Sequence, residues 1–126
     1  MKNKNFNTLS QEKVYIIQPI IDGKNYRKLQ EEAVALIESS GSVYAGTIYQ
    51  KIREINPATY VGAGKLAELC ERLSGLQLTI LFNGELSPSQ TLNISEALGG
   101  RKVIDRTTLI LDIFAGRAVS SEGKLQ

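Results

Sequence analysis

The residues of this chain best arranged for chemistry are Tyr60-Val61-Gly62-Ala63-Gly64-Lys65, a glycine-rich turn that leads into helical periodicity. Such a turn can aim backbone N–H groups at an anion, with the lysine as counter-charge. A phosphate-binding P-loop needs another glycine five positions before its Gly-Lys pair, and a Ser or Thr after the lysine. Those positions hold Thr59 and Leu66, so no hydroxyl is supplied for magnesium. Two readings stay open. Gly62 and Gly64 give a tight, closely packed turn with Lys65 in water, or the turn touches a phosphate backbone. Segment 51–65 is long for a strand-to-helix connection, and long ordered loops are often functional. Lys51, Arg53 and Lys65 make it locally basic.

A second constellation is acidic. Asn83 and Glu85 follow one apolar run and Asp105 follows the next. In a parallel sheet all would lie at the carboxyl edge, where α/β ligand sites gather. Two carboxylates there can hold a cation, or cap helices and pair with Arg106. The chain has no His, which removes Ser-His-Asp and Cys-His catalysis and the usual zinc sites, and no metal site is expected. The lone Cys70 falls on the apolar side of a helix, which suits a buried, reduced thiol in a cytoplasmic protein. A formal charge of +2 does not by itself announce a nucleic-acid binder. No apolar run approaches the roughly 18 residues of a membrane span, and the polar start has no signal-peptide core.

The elements that must position these groups alternate. Apolar runs predict strands at 14–17, 43–49, 78–82 and 102–104. Helical spacing marks Leu29, Ala33, Leu36 and Ile37, ending before Gly41, and Leu66, Leu69, Cys70 and Leu73, ending near Gly75. Ser87-Pro88-Ser89-Gln90 combines an N-cap serine, proline at the first helical position and glutamine at the third, a capping box opening a helix over 88–98. The last helix is expected over 107–118. Its run Thr107 to Ala115 is apolar on nearly every side, so it needs cover from this domain or from another. The fold expected is a single α/β domain with a mainly parallel four-stranded sheet flanked by helices. Residues 1–11 read as a loose arm, 12–118 as the domain, and 119–126 as the start of a polar connector.

Taken together, Tyr60-Val61-Gly62-Ala63-Gly64-Lys65, Glu85-Leu86-Ser87-Pro88-Ser89-Gln90, and Asp105-Arg106-Thr107 with Leu109-Ile110-Leu111-Asp112-Ile113-Phe114-Ala115 closely resemble the amino-terminal domain of HflX-type GTPases. Arg117-Ala118, Ser120 and Glu122-Gly123-Lys124-Leu125-Gln126 resemble the segment that in that family leads into a helical hairpin and then the GTPase domain. Two departures stand out: Leu92 replaces a usual arginine, and Ser95 a common acidic residue. Gly116 also sits where a larger polar residue is usual.

The resemblance implies a translation-linked, ribosome-associated protein that binds the large ribosomal subunit, hydrolyses GTP and separates ribosomal subunits. GTP and magnesium would belong to a GTPase domain outside these residues, so no catalytic or nucleotide-binding residue is expected here and this fragment is not expected to be an enzyme. Lys51, Arg53, Lys65, Arg101, Lys102 and Arg106 are then candidates for ribosomal RNA. Gly62, Gly64, Asp105, Asp112 and Arg117 are candidates for turn or interdomain roles. The competing expectation is a small-ligand or nucleotide pocket at the sheet's carboxyl edge, built from Glu85, Asp105 and the 62–65 turn.

Overall fold

The computed structural model describes the backbone of residues 12–125 and the side chains of residues 12–115; the arm read at 1–11 lies outside the described residues. The elements in chain order are β1 (Lys13–Ile20), α1 (Tyr26–Ser39), β2 (Val43–Lys51), α2 (Ala63–Arg72), β3 (Thr79–Phe82), α3 (Pro88–Ala97), β4 (Val103–Asp105) and α4 (Arg106–Leu125). The strands form one parallel sheet in the order β2-β1-β3-β4.

Alternation along the strands sorts the core into two layers, because neighbouring side chains point to opposite faces. Val14, Ile16, Leu81 and Ile104 meet Ala33 and Ile37 of α1 and Leu109 of α4. Ile17, Ile80, Phe82 and Val103 meet Leu66, Leu69 and Leu73 from the α2 side and Ile94 and Leu98 from the α3 side. Helices thus cover both faces, as a parallel sheet requires.

β1 runs further than its apolar core, through Gln18 and Pro19. Proline has no N–H for a ladder and is normally excluded from a central strand. Here β3 pairs β1 only as far as Ile17, so beyond that residue β1 is bonded on the β2 side alone. Pro19 therefore occupies what is locally an edge.

α3 starts as its sequence dictates. Ser87 Oγ accepts the Gln90 N–H at 3.1 Å, and the Gln90 side chain accepts the Ser87 N–H at 2.9 Å. α4 continues as helix to Leu125, through residues that the sequence reading assigned to a connector.

Candidate functional site

The connection from β2 to α2 is ordered by short-range polar contacts. Asn56 and Tyr60 exchange backbone hydrogen bonds at 3.0 and 2.7 Å. Asn56 Oδ1 accepts the N–H groups of Ala58 and Thr59. Two side chains of α3 hold the loop from outside: Gln90 Nε2 donates to the Asn56 carbonyl and Asn93 Nδ2 to that of Ala58. The strain of the turn falls on Tyr60, a non-glycine residue at φ 66°, a conformation that costs on the order of 1–2 kcal/mol. Its ring packs on Phe82 with centroids 4.6 Å apart, and burial pushes its phenol pKa up.

Gly62 and Gly64 are not forced by packing: a Cβ added to either meets nothing within 4 Å. The close-packed reading of the two glycines is corrected by that open space. Gly62 caps α2 through its backbone alone, and Lys65 lies exposed beside Glu68 at 3.7 Å.

The acidic residues of the carboxyl edge are spent differently. Asp105 is buried, and its two oxygens accept the backbone N–H of Leu86 at 3.0 Å and of Thr108 at 2.9 Å. Desolvation by itself raises the carboxyl pKa, but these hydrogen bonds favour the charged form and hold it below its ordinary value. Asp105 thereby caps α4 and closes the 83–87 loop. Glu85 is exposed. No group of three or more His, Cys, Asp or Glu suited to a metal occurs among the described residues. A shallow groove of about 480 Å³ runs beside β4, lined by Leu86, Leu92, Val103 and Asp105 among others. Leu92, at the position of the missing arginine, is 60% exposed there.

The crevice between β1 and β3, where the sheet order reverses and α/β proteins often bind ligands, is filled by the protein's own polar groups. Asn83 Nδ2 donates to Gln18 Oε1 at 2.6 Å and to the Leu29 carbonyl at 2.9 Å. Arg106 reaches Asn83 Oδ1 at 3.5 Å and pairs with Glu32 at 2.9 Å. Gln18 and Asn83 are both buried, and nothing in their local sequence announced the pairing.

The basic candidates do not share one surface. Arg101 and Lys102 precede β4 and lie at the amino edge of the sheet, whereas Lys51 ends β2 and Arg53, Lys65 and Arg106 follow strands at the carboxyl edge. Arg101 is committed internally: Nη1 donates to the Leu98 carbonyl at 2.9 Å, and Nη2 to those of Leu73 at 2.6 Å and Leu76 at 3.2 Å. Lys102 pairs with Glu12 at 3.6 Å. Lys51 and Arg53 are exposed and make no salt bridge among the described residues.

Next to them sits a group the sequence reading missed. The Tyr26 and Tyr49 rings meet edge to face at 5.8 Å and 73°, and the Arg27 guanidinium lies 5.8 Å from the Tyr26 ring centre. Only the pairing of α1 with β2 brings them together. On the opposite margin, Asp112 is exposed on α4, and Leu111 and Phe114 are each 61% exposed. The Arg117 side chain lies outside the described residues.

Residues 27–115 match the family described as GTP-binding GTPase N-terminal. The chain is 47% identical over 102 residues to GTPase HflX of Alkalihalophilus pseudofirmus, covering 76% of this chain and 24% of that protein. It is 41% identical over 97 residues to GTPase HflX of Escherichia coli, covering 76% and 22%. It spans about a quarter of the length of these relatives. Among solved structures, a GTP-binding protein from Sulfolobus solfataricus in complex with GDP superposes with a TM-score of 0.61 at 23% identity, covering 83% of this chain and 30% of that one, a likeness of fold. With the strand order, the capped helices and the family match in agreement, the chain belongs to the GTP-binding GTPase N-terminal family, the amino-terminal domain of HflX-type GTPases.

Proposed function

We propose that this domain is the binding and regulatory part of an HflX-type GTPase, acting in the cytoplasm on the large ribosomal subunit while GTP and magnesium are handled by a separate GTPase domain. The observation that carries the regulatory half is the pair Leu111 and Phe114. They stand three residues apart on α4 and therefore on one face, each 61% exposed. Apolar side chains so arranged favour a protein partner, and the GTPase domain of the same protein is the partner this reading assigns. Asp112 borders that face.

The RNA half rests on Lys51 and Arg53, whose charges no acidic side chain among the described residues neutralises. The competing small-ligand reading has less support, since both Asp105 oxygens already accept backbone N–H groups.

The test uses the full-length protein with Leu111→Ser and Phe114→Ser together. GTP turnover should change, with the melting temperature of the domain nearly unchanged because both side chains are exposed. Turnover identical to the parent protein would refute regulation through this face. For ribosome association, affinity for large subunits should fall steeply with salt, and Lys51→Gln with Arg53→Gln should flatten that slope. Saturable binding of a nucleotide with magnesium to residues 1–126, measured by calorimetry, would favour the competing reading.

A further inference from the structure

We infer that the β2 margin of this domain stacks an unpaired RNA base on Tyr49, with Arg27, Lys51 and Arg53 taking the adjoining phosphates. This deepens the RNA-contact reading above and rests on it.

β2 is the outermost strand of the sheet on its side, so no strand lies beyond it among the described residues. Tyr49, near the carboxyl end of β2, is 47% exposed. A tyrosine left open at a sheet margin would ordinarily be free to reorient. Here the edge-to-face contact with Tyr26 restricts its ring, and Tyr26 is itself fixed at the first position of α1. A ring held in place beforehand loses little conformational freedom when a flat ligand stacks on it.

The surrounding charge selects the ligand. Lys51 stands two residues after Tyr49, so strand alternation puts both on the α1 side of the sheet. Arg53 follows two residues later, just beyond β2, and Arg27 lies against the Tyr26 ring. All three cations are exposed. Aromatic rings beside cations are the combination used for unpaired nucleic acid, where bases stack and phosphates meet Lys or Arg. Duplex RNA keeps its bases stacked internally and is read across its minor groove, which this small patch does not fit.

The experiment measures fluorescence anisotropy of a labelled oligouridylate at low salt with the 126-residue chain. Tyr49→Ala should weaken binding on the order of five- to a hundredfold, and Tyr49→Phe should keep it. Tyr49→Leu, which still covers Tyr26 but lacks a π face, should behave like Tyr49→Ala, so the test survives if Tyr49→Ala unfolds. Lys51→Gln with Arg53→Gln should reduce the salt dependence. If Tyr49→Leu binds like the parent chain while the charge variant binds weakly, stacking is overturned and the RNA-contact reading stands. No binding of any RNA by the parent chain overturns both. Equal binding of a paired hairpin, or of polyglutamate, overturns the selection for unpaired RNA.

Discussion

Replacing Arg101 by Ala removes a single side chain that closes two helices. Its guanidinium donates to Leu98 at the end of α3 and to Leu73 at the end of α2, and also to Leu76 beyond it. A cation there also meets the negative ends of both helix dipoles. A hydrogen bond involving a charged group contributes about 1.5–3 kcal/mol net. Two of the three bonds are short and one is long, the freed carbonyls regain some water, and the Nε atom is buried without a partner. The expected loss is therefore about 2–4 kcal/mol, less than the sum of three such bonds. For a domain of this size that corresponds to a fall in Tm of roughly 8–15 °C. Far-UV circular dichroism during urea and thermal unfolding measures it. Arg101→Lys, which keeps the charge but lacks the planar fork, should fall between Ala and the parent. A loss under about 0.5 kcal/mol for Arg101→Ala, the scatter of ordinary surface substitutions, would refute the staple. So would Lys and Ala variants of equal stability.

Two other substitutions test the polar interior. Asn83→Ala leaves the buried Gln18 oxygen without the donor it now has and should cost about 2–4 kcal/mol, measured by urea unfolding, with Asn83→Asp no better because it cannot donate to Gln18. Asp105→Asn should cost about 2–4 kcal/mol at neutral pH, because the amide keeps one oxygen: one of the two N–H groups loses its acceptor to an NH2 that can only donate, and the other bonds a neutral oxygen. The Asp105 carboxyl has its pKa lowered in the folded state, so its stabilisation is complete above the unfolded-state value near 3.9 and is lost as pH falls through the lower, folded value. The gap in urea midpoint between parent and Asp105→Asn should therefore close in acid, and a gap constant down to the acid limb would contradict that assignment.

Local signals were legible because the physics they report is local. The Ser87 and Gln90 capping box, the glycine after α1 and the alternation of strand with helix each depend on residues within a few positions. Long-range pairings were not. Arg101 reads as an exposed cation until strand order places it against the ends of two helices. The split of the six basic residues between opposite sheet edges likewise follows from which residues precede or follow strands. Gln18 and Pro19 obscured the length of β1, since their legality depends on β3 stopping at Ile17. The Tyr26 and Tyr49 pair, 23 positions apart in sequence, had no periodicity to betray it.

The ion pair between Arg106 and Glu32 has a mechanical consequence. Glu32 belongs to α1, and the first residue of that helix, Tyr26, bears on Tyr49 at the β2 margin. One helix thus touches the basic margin at its start and is clasped to the base of α4 further along. α1 contains no glycine or proline between Tyr26 and Ser39, so it has no built-in place to bend. A ligand that displaced the Tyr26 ring would therefore act on α4 through about 9 Å of unbroken helix and one ion pair.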